Sequence, residues 1–348
     1  MNAPTVVAVD PREDPRWREL AAGPRGSLFT SPPWLDAVCA TYGFRPEGRV
    51  AVDAAGRAVG GFAWVPIEDM RGWRLSSLPF SDRTEPLVAD ESGWKELSSD
   101  AFATDLPLTL RCLDDAVPIG DPRLDAVGAA AWHGTPLTGT VDELRARLGG
   151  TARRNIARSV RGGVRIEADP SLRGIRAFHG LHVRLRKRKY RLLAQPLELF
   201  ERIWEAFARH DGVVTLLAYT GDTLIAGAMF LTWNETLYYK FGASAPEYLP
   251  LRPNDAVFWA GLRWGLERSL TWLDWGLSDL DQPGLIAYKR KWATTERRIV
   301  TLRPAGTKPP GHREVDAVLG ELTRLLTDEE VPDHLTEQAG QLLYRYFC

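Results

Sequence analysis

Between Thr151 and Arg191 the chain carries thirteen Lys or Arg residues against two acids, Glu167 and Asp169. The segment is +11 in a chain of net charge −1, so everything outside it sums to −12. Clustering of this kind attracts a polyanion; the plainer reading is a pair of solvated helix faces. Arg153, Arg154, Arg158 and Arg161 stand in its first part, Arg186 and Arg188 in its last. A second basic group, Lys289-Arg290-Lys291, follows Tyr288 in YKRKW. Lysine is a compact cation with three donors, and the bland alternative is a surface cluster. Asp82 closes a Pro-Phe-Ser-Asp loop where an Asx-turn or N-cap would also use it. His179 and His182 lie three apart on a helical stretch, but no third ligand is near, so no metal is expected. No Gly-x-Ser-x-Gly elbow is present. Cys39, Cys112 and Cys348 are widely spaced, match no zinc pattern and cannot all pair. A reduced, cytoplasmic protein is the expectation.

These residues need elements to hold them. The chain has 348 residues, enough for two domains, and 44% hydrophobic with 26% charged residues suits a globular protein. Thirteen tryptophans point to large apolar surfaces or grooves. No apolar run is long enough to span a bilayer, and MNAPTVVAVDPREDP has no basic start leading into an apolar run, so no signal peptide is expected.

In the second half, Thr140 and Glu143 form a capping box for a helix over 141–148. Thr151 is read as the cap of a basic helix over 152–161 ended by Gly162-Gly163. A strand over 164–167, helices over 172–189 and 196–210, and strands over 213–219, 223–233 and 236–241 follow. Asn254 is read as capping a helix to about 268, then come a strand over 271–275, a short helix over 284–292 and a strand over 297–302. The first half is a weaker copy: VAVDAAGRAVGGFAWVPI (50–67) resembles LLAYTGDTLIAGAMFLTW (216–233), each a strand, a glycine turn, a small-residue pair and an apolar strand. The Gly/Pro run AGTKPPG reads as a linker to two helices, over 313–326 and 332–346, that pack back on the body.

The element order is that of the GNAT acetyltransferase fold. The runs FTSPPWLDAV (29–38), LSSLPFSD (75–82), ARRNIARSVRGGVRI (152–166), LHVRLRKRKYRLLAQPLELF (181–200), YYKFGASAPEYLPLRPNDAVFW (238–259), LDWGLSD (273–279) and IAYKRKWAT (286–294), in this order and spacing, resemble the FemABX/BioF2-like branch of the GNAT superfamily. The fold class that follows is α/β (α+β with mixed sheets): two tandem GNAT-like domains, 1–150 on the acceptor side and 151–304 on the donor side, with a C-terminal helical extension over 305–348. The resemblance implies N-acylation. Some members of the family take an amino acid from aminoacyl-tRNA; others use acyl-CoA.

By that resemblance Lys289 stabilises charge on the carbonyl or leaving group, with Tyr288 beside it where the family has Phe. Asp82 is the base or amine anchor, and Trp34 lies near the acceptor groove. One of Arg186 and Arg188 contacts acceptor phosphates; residues two apart on an α-helix point about 200° apart, and the alignment favours Arg188. Tyr239, Lys240 and Tyr248 line the cleft, and Arg252 stands beside a helix N-terminus able to receive an anion. The glycine-rich loop that cradles the CoA pyrophosphate in GNAT enzymes is missing: no glycine lies between Gly242 and Gly261, and Pro250 and Pro253 remove donors. With the +11 segment, this favours aminoacyl-tRNA as donor, gripped by Arg153, Arg154, Arg158 and Arg161, and a small peptide or other amine as acceptor. No cofactor is expected, and the oligomeric state is not specified. An acyl-CoA-dependent N-acyltransferase and a non-catalytic nucleic-acid-binding protein are the alternatives.

Overall fold

A computed structural model describes residues 4–306 and 313–348. The chain divides into two compact units: Met1–Ala131 with Arg297–Asp316 and Cys348, and Trp132–Glu296 with Ala317–Phe347.

The first unit runs β1 (Thr5–Val9), α1 (Pro15–Ala22), α2 (Pro32–Tyr42), β2 (Glu47–Val52), β3 (Ala58–Asp69), β4 (Gly72–Ser76), α3 (Glu91–Ala103) and β5 (Leu108–Leu113), then the start of β6 (Leu124–Pro136). Local chemistry sets the helices. Asp14 accepts the Arg16 and Trp17 amides ahead of Pro15, Ser31 caps α2 ahead of Pro32, and Gly43, at φ 70°, closes α2 in the left-handed region. Strands β1 to β4 pair antiparallel in order, and β4 then pairs parallel with β5 through Leu75–Leu108 and Ser76–Thr109. Phe62, Trp64, Leu75, Trp94, Leu97 and Leu110 form the core.

The second unit takes β6 from Trp132 and continues with α4 (Val141–Arg147), α5 (Gly150–Arg161), β7 (Arg165–Asp169), α6 (Leu172–Leu185), α7 (Leu197–Ala208), β8 (Val213–Thr220), β9 (Thr223–Trp233), β10 (Thr236–Ser244), α8 (Pro253–Glu267), β11 (Trp272–Asp279) and α9 (Pro283–Lys289). Strands β7 to β10 pair antiparallel and β10 pairs parallel with β11. Its core gathers Phe230, Leu237, Phe258, Leu262, Trp275 and Trp292. Strand β12 (Thr295–Pro304) follows; its residues from Arg297 belong to the first unit, where Ile299–Leu302 pair with Leu113–Leu110 of β5. Helices α10 (Arg313–Leu326) and α11 (Asp333–Leu343) end the chain.

The two units therefore repeat one plan: strand, two helices, three strands, helix, strand, with three antiparallel pairings followed by a parallel one. This is a tandem α/β arrangement with mixed sheets. The glycines singled out in the two hairpins do the same job. A Cβ on Gly61 would meet the Trp17 ring of α1 at 3.0 Å, and one on Gly227 would meet the Phe178 ring of α6 at 3.2 Å. In each unit the sheet lets its first helix come close at a residue with no side chain.

Some element readings change. The α5 helix starts at Gly150, with Gly149 as an N-cap that offers no side chain; Thr151 instead accepts a hydrogen bond from Arg154 at 3.1 Å. The N-cap of α8 is Arg252, held at φ 60°, while Asn254 lies inside the helix and donates to Ser244 Oγ at 3.2 Å. The helix expected to run to Lys189 stops at Leu185 and widens into a π-helical turn over Arg186–Tyr190, closed by Arg191 at φ 52°. The Thr140–Glu143 capping box forms as expected. Most of the AGTKPPG linker lies outside the described residues.

Candidate active site

In the second unit β10 and β11 pair only over Thr236–Tyr238 and Trp272–Asp274 among the described residues. Beyond that point β10 bulges at Lys240, between Tyr239 and Phe241. Strand β11 turns at Gly276, at φ 70°, whose amide donates to Asp274 Oδ1 at 2.7 Å. Into this turn comes Lys289 from the end of α9. It is only 3% exposed, and Nζ donates to the carbonyls of Gly276 at 3.1 Å and Leu277 at 2.8 Å. A buried ammonium is costly unless polar atoms surround it, and here two carbonyls fix its place. The three basic residues of YKRKW thus separate: Lys289 goes inward, Arg290 is exposed and paired with Glu296 at 2.6 Å, and Lys291 Nζ lies 5.1 Å from the centre of the Tyr288 ring.

Tyr288 turns the other way from Lys289. Its ring packs edge-on against Phe258 of α8 at 5.1 Å, within a cluster that also holds Tyr239, Trp275 and Trp292. Tyr288 Oη and Trp292 Nε1 are buried with no well-formed hydrogen bond. Burial first, and then the nearby Asp255, push the Tyr288 phenol well above its usual pKa, so it stays protonated. Tyr239 is pushed up as well, chiefly by burial. Its ring folds along β10 over Gly242, where a Cβ would lie 1.8 Å from the Tyr239 oxygen, so that position needs glycine. Lys240 Nζ sits 5.8 Å from the Phe241 ring, and Tyr248 packs half-buried against the core below α8.

The start of α8 departs from a phosphate cradle. Asp255, 4% exposed, stands in its first turn, where the helix dipole favours a carboxylate. It accepts a hydrogen bond from Asn155 Nδ2 of α5 at 3.0 Å. Burial raises its pKa, while Asn155, Lys291 and Arg252 pull it back. Neither Asn155 nor Asp255 was singled out from the sequence. One lies among arginines and the other in a helix start, and only the packing of α5 on α8 joins them.

The outer face of α5 carries Arg153, Arg154, Arg158 and Arg161, all exposed and none paired with a carboxylate among the described residues. In the π-helical turn, Arg186 Nε donates to the Leu193 carbonyl at 2.6 Å, Arg188 is exposed and 3.7 Å from Asp333, and the buried residue is Lys187, bonded to Asp333 at 2.8 Å. The π pitch, rather than an α pitch, decides these directions. His179 and His182 bond to the Gln195 carbonyl and side chain at 3.0 and 2.8 Å. Burial pushes His182 down to about 3. No metal-binding group of three is found among the described residues.

In the first unit, Asp82 ends a strained loop in which Leu78 and Phe80 both have left-handed backbones, at φ 62° and 59°. Such conformations cost of order 1–3 kcal/mol each, and packing must hold them. Phe80 packs against Tyr42 with ring centres 4.5 Å apart and the planes tilted by 37°. Trp34 is fully buried rather than at a groove, and its indole donates to Ser81 Oγ at 3.3 Å, next to Asp82.

Residues 145–290 match a family model for the acetyltransferase (GNAT) domain. No curated protein matches the sequence. Among solved structures, FemX is similar over 85% of this chain and 96% of its own, with a TM-score of 0.66 at 13% identity. The structure of L-PGS from Bacillus licheniformis has a TM-score of 0.51 at 14% identity, over 85% of this chain and 96% of its own. A tandem GNAT protein from the clavulanic acid biosynthesis pathway has 0.50 at 15% identity, over 88% and 99%. At these identities the likeness is one of fold. The chain has a tandem GNAT fold similar to that of FemX, and residues 145–290 of it match the acetyltransferase (GNAT) domain.

Proposed function

We propose that the chain transfers an aminoacyl group from aminoacyl-tRNA to the amine of a small peptide or related acceptor, forming an amide. The observation that carries this reading is the outer face of α5: four arginines with no carboxylate partner among the described residues, in a chain that pairs many of its other arginines with acids. An acid-lined start of α8, in place of a glycine loop, disfavours a pyrophosphate there.

The chemistry is aminolysis of an activated ester. The neutral amine attacks the carbonyl carbon; the C–N bond forms and the carbonyl oxygen takes up negative charge. The C–O bond to the ribose then breaks, and the ribose oxygen leaves with the proton that the amine gives up. Lys289 is the cation that stabilises the developing charge, and holding the two reactants together supplies much of the rest. Asp82 is assigned as the amine's anchor or base, and Arg188 with Arg186 as the anion contacts of the acceptor. Tyr239, Lys240, Tyr248 and Arg252 contribute to the donor side.

The test is binding of mixed aminoacyl-tRNA and, separately, acetyl-CoA over a salt series. RNA binding that weakens steeply with salt and no effect of CoA support the reading. CoA binding without RNA binding overturns it and leaves an acyl-CoA N-acyltransferase.

A further inference from the structure

Glycines mark both ends of helix α5: Gly149 is an N-cap with no side chain, Gly150 is the first residue, and Gly162 and the left-handed Gly163, at φ 73°, follow the last. What holds it is its inner face. At 100° per residue its four arginines fall within an arc of about 140°. Outside that arc lie Ala152 and Ile156, both buried, and Asn155, which reaches Asp255. Asp255 in turn is near enough to Tyr288 for its charge to raise the phenol's pKa; the Tyr288 hydroxyl is buried with the Trp292 indole as its partner, and the next residue in sequence is Lys289.

We infer that Asp255 is a positioning residue: through Asn155 it fixes the arginine-bearing helix α5 on α8, and beside Tyr288 it steadies the segment of α9 that carries Lys289. RNA gripped on the outside of α5 is thereby registered against the reacting group. This rests on the aminoacyl-tRNA reading above. The groups facing Asp255 are Asn155 from α5, Tyr288 of α9, Lys291 just after it, and Arg252 ahead of α8, with Tyr239 of β10 behind Tyr288. Lys291 and Arg252 compensate the carboxylate's charge. Because burial raises its pKa, Asp255 is ionised only at a higher pH than an exposed carboxylate, and turnover falls on the acid side as it takes a proton.

The test uses the full chain, mixed aminoacyl-tRNA and lysinamide as the amine, with RNA affinity measured at fixed salt. In Asp255→Asn, RNA affinity stays within about twofold of the wild type while kcat falls about tenfold or more, as expected for a small misplacement of reacting groups. The acid limb of the kcat profile disappears with it. The exchange Asn155→Asp with Asp255→Asn restores the pair and returns kcat to within about threefold of the wild type, by the same reasoning. Should Asp255→Asn fail to fold, the exchange and Tyr288→Phe carry the test, Tyr288→Phe being expected to lower kcat without lowering RNA affinity. Unchanged kcat in Asp255→Asn, a parallel loss of RNA affinity and turnover, or a folded exchange with no recovery overturns the inference and leaves the proposed function standing. A wild type that turns over no aminoacyl-tRNA overturns both.

Discussion

The two units share a plan and differ at the same place. In each, the fourth and fifth strands pair parallel for two or three residues and then part. In the first unit the last bond of the ladder runs from the Ser77 amide to the Thr109 carbonyl at 2.8 Å; beyond it the Thr84 amide donates to the Arg111 carbonyl at 2.7 Å, and the Ser77 and Thr84 hydroxyls lie 3.1 Å apart. In the second unit the carbonyls beyond the parting point, Gly276 and Leu277, are taken by the Lys289 ammonium. One fork is closed by neutral hydrogen bonds, the other by a fixed charge. Their arginines differ likewise. Arg12, Arg16, Arg57, Arg74 and Arg123 pair with acids within the first unit; in the second unit Arg165, Arg176, Arg202 and Arg263 do the same, but the α5 group of four has no carboxylate partner among the described residues. The lesson is that a fold's plan sets where strands part, and side chains decide whether that place is structure or site.

The sharpest way to break this comparison is at the forks. Lys289→Met is expected to lower kcat/KM by about 10²–10³-fold, the usual cost of one charge-stabilising donor. Thr84→Val, which removes the hydroxyl but keeps the amide, is expected to lower stability by about 1 kcal/mol without changing kcat. Kinetics and melting of the two variants check this; a Lys289 variant with wild-type turnover removes the distinction.

The arginines come next. Replacing Arg153, Arg154, Arg158 and Arg161 by Gln is expected to reduce the slope of log binding constant against log salt by about 3, at roughly 0.7–0.9 per phosphate contact. Replacing Arg12 and Arg57 is expected to leave it unchanged, since both are already neutralised. A salt series on each variant decides.

Acid should also tell the units apart. His182 is held neutral by burial down to about 3, whereas an unfolded histidine takes its proton near 6.5. Below about 6.5 the unfolded state therefore binds one more proton than the folded state, and stability falls by about 1.4 kcal/mol per pH unit until the folded pKa is reached. No histidine lies among the described residues of the first unit. Hydrogen exchange between pH 7 and 4 is expected to show protection lost first around α6 and α7, and His182→Gln to blunt the loss.

The last expected effect is common to both units. Gly61→Ala and Gly227→Ala each place a methyl at 3.0–3.2 Å from an aromatic ring of the first helix, and each is expected to cost about 1–3 kcal/mol by overpacking. Thermal melts that separate the two by more than that range break the parallel between the hairpins.

Much of this plan was legible in the sequence. The Thr140 box, the turn glycines and the alternating strands mark elements through local chemistry, and the paired hairpins reveal the repeat. What stayed hidden depended on geometry across elements. Nothing local shows that residues 186–190 widen into a π turn, which turns Lys187 inward where an arginine was expected to matter. Arg252 was read as an anion contact but also serves as a left-handed helix cap. Lys289 was named through a family resemblance, and only its two carbonyl partners distinguish it from Arg290 and Lys291. Asp255 and Asn155, a hundred residues apart, left no signal at all.

The duplicated fork also has a history written into its chemistry. Two copies of one plan mean that the same gap can be filled in two different ways. Drift toward closure needs only small hydroxyl residues and backbone, materials that random change supplies readily. Reopening the first fork would require removing Ser77 and Thr84 together, relaxing the Leu78–Phe80 loop and installing a buried cation with its carbonyl cage. Removing the hydroxyls, or burying a cation before its carbonyls are in place, leaves a less stable chain, so the path is steep in one direction and shallow in the other. A duplicated fold of this kind behaves as a ratchet, and descendants of this chain are expected to diversify around the second fork while inheriting the first one shut.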